Sequence, residues 1–196
     1  MTIESQVPCL KVSIRAATLG DAAAIAGVHV ASWHETYLNL MPETMLRGLS
    51  VDDRTERWAR ILDHALTHGD TSVFVAERDG DLVGFVSGGR QREQGRFAAS
   101  FTGEISAIYV LQSAQGRGVG RGLMAAVALA LHDQGHQGAS LSVLRDNQPA
   151  RRFYERLGGE VIGEKEDQRE LVTFFELVYG WRDLSVVASS RAPRGK

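Results

Sequence analysis

Alternation and helical spacing divide the chain into a clear series of elements. Leu10, Val12 and Ile14 alternate with Lys11, Ser13 and Arg15, the period-two pattern of a half-buried strand. Thr18 and Asp21 then form a capping box. The helix they open places Ala22, Ile25, Val28 and Trp33 at its apolar positions and runs to about residue 35. Pro42 starts a short helical segment that ends near Gly48. Ser50 and Asp53 repeat the cap signal ahead of a helix over 51–68, with Trp58, Ile61, Leu62, Ala65 and Leu66 as its apolar stripe. Residues 73–76 and 82–86 read as strands joined at Asp79-Gly80, a pair suited to the positive-φ positions of a tight hairpin.

Residues 88–103 are polar and glycine-rich and read as a loop. Residues 104–110 are extended, with Ile105, Ala107 and Tyr109 on one face and Ile108 and Val110 on the other. Val119, Leu123, Val127 and Leu131 recur at helical spacing over 119–132. Residues 139–144 form a short apolar strand. Asn147 caps a further helix, with Pro149 in its first turn and Gly158-Gly159 closing it. Residues 161–163 and 171–179 read as the last two strands, flanking a charged connection over 164–170. The order β-α-α-β-β-β-α-β-α-β-β predicts an α/β (α+β) fold, a mixed central sheet of about seven strands with about four helices packed on both faces. Residues 1–180 form a single domain on this reading, and the basic tail over 185–196 is expected to be disordered.

The stretch between the strand over 104–110 and the next helix reads A-Q-G-R-G-V-G-R-G over residues 114–122. A strand, a glycine turn and a helix start make an anion site, because glycines expose backbone N–H groups and the helix dipole adds a positive end. G-x-G-x-x-G fails in both registers: Arg121 or Leu123 stands at its last position. A P-loop fails too, since no Lys-Ser or Lys-Thr pair follows. Q-x-x-G-x-G remains, at Gln115, Gly118 and Gly120. Alone, that pattern fits tight strand–helix packing as well as a ligand.

With 196 residues and 43% hydrophobic composition, the chain suits one domain with a sizeable core. Its net charge of -2 argues against a nucleic-acid surface. Cys9 is the only cysteine, which excludes an intrachain disulfide and fits a reducing, cytoplasmic setting. The N-terminus lacks a signal-peptide pattern, and no apolar run reaches the roughly 18 residues of a membrane span. His29, His34 and Glu35 resemble metal ligands by composition only; H-E-x-x-H is absent and no metal is expected.

Three stretches in this order resemble the GCN5-related N-acetyltransferase superfamily over roughly residues 10–180. Residues 104–110 with Gln115-Gly116-Arg117-Gly118-Val119-Gly120 are similar to its acetyl-CoA motif. Residues 147–159, N-Q-P-A-R-R-F-Y-E-R-L-G-G, resemble its second motif, although relatives commonly carry an aromatic where this chain has Gly159. Trp33-His34-Glu35-Thr36-Tyr37 resembles the substrate-side helix of bacterial members.

The resemblance implies acetyl-CoA as acetyl donor, its pyrophosphate on the amides of residues 116–120 with Arg117 and Arg121 adding charge. It places the pantetheine arm beside Ile108, Tyr109 and Val110, in a splay between neighbouring strands, with Asn147 bonding it from the other side. The amide of Val110 or Leu111 would meet the thioester oxygen. Glu104 matches the general base, which accepts the amine's proton directly or through water, and Tyr154 matches the general acid beside the sulfur. His29, Trp33, His34 and Tyr37 fall on the substrate side, and His29, His34 or Glu35 are alternatives for the base. The acceptor is an amine, of a small molecule or of a peptide or protein. A homodimer is implied by the resemblance and by the apolar strand over 171–178, which would need cover at a sheet edge. A non-catalytic acyl-CoA-binding domain is the second reading; it would need neither Glu104 nor Tyr154, and their joint presence favours an enzyme.

Overall fold

The computed structural model describes residues 12–92, 100–169 and 172–189. Its strands are β1 (Val12–Ala16), β2 (Thr71–Arg78), β3 (Asp81–Arg90), β4 (Gly103–Val110), β5 (Ala139–Leu144), β6 (Glu160–Arg169) and β7 (Val172–Trp181). Its helices are α1 (Ala22–Tyr37), α2 (Glu43–Arg47), α3 (Val51–His68), α4 (Val119–Asp133), α5 (Gln148–Arg156) and α6 (Leu184–Ser189). The strands form one 7-stranded sheet in the order β1-β2-β3-β4-β5-β7-β6. Among the described residues β4 and β5 are the one parallel pair, as a helical crossover between them requires. The β2–β3 hairpin turns at Asp79 and Gly80, with φ of 55° and 92°.

Strand alternation sends successive side chains to opposite faces, and each face has its own core. Val75 and Phe85 pack with Ile25 and Ala26 of α1 and Trp58 and Leu62 of α3. Ala76 and Val86 face the other way, onto Leu123, Val127 and Leu131 of α4, with Tyr154 of α5 and Leu184 of α6 in the same cluster. Asp21 fastens α1 to the sheet. Its carboxylate accepts from Nη1 and Nη2 of Arg15, both at 2.8 Å, and from the amide and hydroxyl of Thr18 at 2.7 and 2.9 Å.

The structure corrects the sequence reading in four places. First, β3 continues through Gly88 and Gly89 to Arg90. These glycines mark close approach: a Cβ on Gly88 would stand 2.7 Å from Val127 Cγ2 of α4. Second, residues 164–169 belong to β6. The alternation there is charged on both faces, because Lys165, Asp167 and Arg169 are half-buried while Glu164, Glu166 and Gln168 face solvent. Third, β7 lies between β5 and β6 and is no edge, so the strand argument for a homodimer falls. Fourth, the expected loose tail begins as α6, because Leu184 and Val187 are buried against the core. Leu10 and Lys11 of the expected first strand, Cys9, the middle of the expected 88–103 loop, residues 170–171 and residues 190–196 lie outside the described residues.

Asp21 yields a pH-dependent test. The Arg15 side chain, partly opposed by burial, holds its carboxyl well below the usual carboxylate range. A depressed folded-state pKa stabilises above the unfolded value, about 3.9, and that stability is lost as pH falls through the folded value. Asp21→Asn should lower the unfolding free energy at pH 7 by about 1–3 kcal/mol. Urea melts should show this gap narrowing as pH drops below about 4. Equal midpoints at pH 7 would dismiss the anchor.

Candidate functional site

β4 and β5 pair at Gly103↔Ala139 and Glu104↔Ser140, and no further register pair joins them. Beyond that they diverge and leave a gap that opens into a cleft of ≈ 1930 Å³. The amides along β4 alternate between its two edges. Leu111 donates its N–H to Val83 O of the β3 side at 2.9 Å. The amides of Ile108 and Val110 therefore face the gap, and Leu111 is not available to a thioester: of the two amides expected there, its own is spent on β3. Val110 O faces the same edge and accepts from Gln115 Nε2 at 3.0 Å.

One end of the cleft is the glycine turn. Gly116 and Gly118 have φ of 73° and 82°, left-handed values that glycine adopts without strain. Gly118 is the N-cap of α4, and the helix's first backbone bond runs from Gly122 N to Gly118 O at 3.0 Å. The amides of residues 119–121 precede that bond and have no partner within the helix. Gln115, Gly116, Gly118, Gly120 and Arg121 line the cleft. Val119 points its side chain into the core, leaving only its backbone for a ligand. Arg117 is exposed on the turn and outside the cleft lining.

Opposite this turn, α5 carries Asn147 and Tyr154. Asn147 Oδ1 caps the helix by accepting from Ala150 N at 3.2 Å, and the residue lines the cleft. Tyr154 also lines it, its ring held among Phe153, Tyr179 and Trp181. Burial, then Tyr109 and Tyr179, push its hydroxyl well above the usual phenol value. Two bonds clamp α5 to β7: Tyr179 Oη donates to Glu155 Oε1 at 2.7 Å and Trp181 Nε1 to Leu157 O at 2.9 Å. The same indole explains Gly159, where a Cβ would meet Trp181 Cζ2 at 2.7 Å.

The far end of the cleft is built from α1, α3 and the β6–β7 arm. His29 stacks on Tyr109 at 4.9 Å and accepts from Trp58 Nε1 at its Nδ1, 3.1 Å away. Burial, with Arg54 and Arg57, pushes its pKa down to about 4. The imidazole is neutral at pH 7, and with Nδ1 accepting from Trp58 its proton is on Nε2. Trp33 and Tyr37 line the cleft in edge contact, ring centroids 5.2 Å apart, and burial raises the Tyr37 hydroxyl. His34 is exposed on the other side of α1 and outside the lining. Glu35 accepts from Gln112 N at 2.8 Å and braces the turn.

Glu104 lies where β4 and β5 part. Arg92 donates to it from Nη2 at 2.6 Å, Nε at 3.0 Å and the amide at 3.1 Å. Burial alone would raise this carboxyl; the Arg92 bonds outweigh it and hold it below the usual value. Sequence reasoning missed a second cleft carboxylate, Glu176 of β7, with Lys165 Nζ and Arg169 Nη2 each at 3.6 Å. Burial raises it. The Lys165/Asp167/Arg169 alternation was its available signal. Arg54 and Arg57 were missed as well, although Arg54 shares the face of Trp58 by i,i+4 spacing.

Against known proteins, residues 28–159 match the model of the Acetyltransferase (GNAT) family. An uncharacterized N-acetyltransferase, YuaI, of Bacillus subtilis is 32% identical over 177 residues, covering 90% of this chain and 96% of that protein. The PaiA N-acetyltransferase of Thermoplasma acidophilum, solved in complex with coenzyme A, superposes with a TM-score of 0.66 at 18% identity, over 86% of this chain and 98% of that one. YncA of Salmonella typhimurium, solved with acetyl-CoA, gives 0.64 at 20% identity, over 88% and 94%. The parted strands, the left-handed glycine turn and a match across most of the sequence have one reading: the chain belongs to the Acetyltransferase (GNAT) family.

Proposed function

We propose that the protein transfers the acetyl group of acetyl-CoA to a primary amine by direct attack. One observation carries this reading: the Ile108 and Val110 amides face an open gap that runs from the glycine turn to Tyr154. The cofactors in the Thermoplasma and Salmonella structures support the donor. The pyrophosphate would sit on the amides at the start of α4, with Arg121 beside it. The pantetheine arm, which carries amides of its own, would lie in the gap as a substitute strand and bond the free edge of β4.

In this arrangement the thioester oxygen takes a hydrogen bond from the Ile108 or Val110 amide, which stabilises the oxyanion as the amine attacks the carbonyl carbon. The C–S bond then breaks. Tyr154 gives its proton to the departing thiolate, and its raised pKa keeps it protonated until that moment. The proton lost by the amine travels to Glu104. With Arg92 on both oxygens, Glu104 takes it through water. A purely acyl-CoA-binding role would leave the Tyr154 hydroxyl, at the cleft wall, without work.

Three variants test the assignment. Gly118→Val cannot hold φ of 82° without strain, so calorimetry should show acetyl-CoA binding lost in a folded protein; retained affinity would remove the turn from the site. Tyr154→Phe keeps the ring and should lower turnover about 10²-fold with little change in acetyl-CoA affinity. An unchanged rate would end the general-acid role.

Glu104→Gln should also cut turnover about 10²-fold near neutrality. Because the Glu104 pKa is lowered, the carboxylate is fully ionised at pH 6–9 by the ordinary range of about 4.3 and below. The rise of rate with pH across that window then belongs to the amine, and the variant's deficit should shrink as the amine arrives neutral. Superimposed pH–rate profiles would take Glu104 out of the mechanism.

A further inference from the structure

At the acceptor end of the cleft Arg54, Arg57, Arg92, Lys165 and Arg169 stand among the carboxylates of Glu35, Glu104, Glu166, Asp167 and Glu176. Glu104 is engaged by Arg92 at 2.6 Å. Asp167 is bonded to Arg169 at 2.6 Å, and Glu176 lies between Lys165 and Arg169. Glu35 is occupied by the Gln112 amide. Arg54 and Arg57, both in the cleft lining, form no ion pair among the described residues. Asp53, beside Arg54 in sequence, does not bridge to it.

Arg54 is held in place all the same. Its guanidinium lies over the Trp33 ring, 5.4 Å from the centroid. Arg169 lies over Phe174 in the same way at 5.5 Å. Trp33 and Phe174 belong to one apolar cluster with Met41 and Leu144, which joins the end of α1 to β5 and β7 and walls this end of the cleft. Two stacked guanidinium groups therefore flank one apolar wall. Stacking leaves the N–H edge of Arg54 free for a planar anion, whereas that of Arg169 is taken by Asp167. Burial, with Arg57 and Arg169, lowers the Arg54 pKa, so these charges repel one another when the chamber holds no anion.

Resting on the acetyltransferase reading above, we infer that the acceptor is a small amino-carboxylate, its carboxylate held by Arg54 with Arg57 and its apolar part against Trp33, Tyr37 and Met41. The carboxylate relieves the repulsion among the arginines. A polyamine would meet the wrong field. The same field favours the neutral form of an amine brought beside it, which is the form that attacks.

The test uses binding, so it does not depend on finding the natural acceptor. The full chain with coenzyme A would be titrated with N-acetyl amino acids and with the corresponding N-acetyl amino amides, which differ only in the charged group. At least one acid should bind about 10- to 100-fold more tightly than its amide, the worth of charged hydrogen bonds. Arg54→Gln should erase that preference, Arg54→Lys should keep part of it, and coenzyme A affinity should be unchanged in both. Acids and amides binding alike throughout would overturn the inference. So would tighter binding of acetylated aminoalkyl phosphates, or of acidic peptides, than of any free acid. Coenzyme A that fails to bind wild-type protein would instead sink the acetyltransferase reading itself.

Discussion

Everything in the cleft depends on the brevity of the β4–β5 pairing. Two parallel strands that bond only at Gly103↔Ala139 and Glu104↔Ser140 leave backbone N–H and C=O groups facing a space inside the molecule. Buried backbone groups of this kind need partners. Gln115 supplies one, by donating to Val110 O. The amides of Ile108 and Val110 remain, and a ligand that carries its own amides is the natural partner. The opening is held from both sides. β4 is tied to β3 along its length, and β5 is tied to β7 from Ala139↔Trp181 to Leu144↔Glu176. The strands cannot relax toward each other without breaking those ladders.

The helices turn that gap into a site by fixing what stands at each end. α4 can start at Gly118 because Gly116 and Gly118 take left-handed backbone. It can lie close to the sheet because Gly84 and Gly88 carry no side chains where Leu123 and Val127 descend. α5 is set by three contacts: Tyr179 to Glu155, Trp181 to Leu157, and Phe153 against Gly120. Tyr154 is thereby aimed by packing, with no hydrogen bond required at its own hydroxyl. The space a side chain at position 159 would need is taken by Trp181 of β7.

Local signals were legible in the sequence and long-range ones were not. The Asp79-Gly80 hairpin, the Thr18–Asp21 box and the Ser50 cap each rest on a few adjacent residues, and each stands in the structure. The glycine turn was legible for the same reason. β6 was read as a charged connection because its inward face carries Lys165, Asp167 and Arg169, which become sensible only opposite Glu176 on β7. The edge position given to 171–178 failed because strand order is set by crossovers, which adjacent residues do not encode. At the site, β4 alternation placed Ile108 and Val110, but the commitment of Leu111 to Val83 needed the β3 register. His29 was one of three alternatives to Glu104 as base, named from its residue type; its bond from Trp58 could not be read from the sequence.

Proton removal is the step in which these features meet. A carboxylate held low by Arg92 is a poor base toward an ordinary ammonium, whose pKa lies near 10. Raising the base is one remedy, and Glu176 shows that this chain can raise a carboxyl by burial. Lowering the acid is the other. On the proposed reading Arg54 and Arg57 would act on an ammonium brought beside them, where burial with these two cations pushes His29 down to about 4. The proton then needs a path and a sink more than a strong base. Glu104, held ionised by Arg92 at the parting of β4 and β5, would be that sink on the proposed reading. The cations that recognise the acceptor's anion would therefore also prepare its amine, which joins specificity and chemistry in one field.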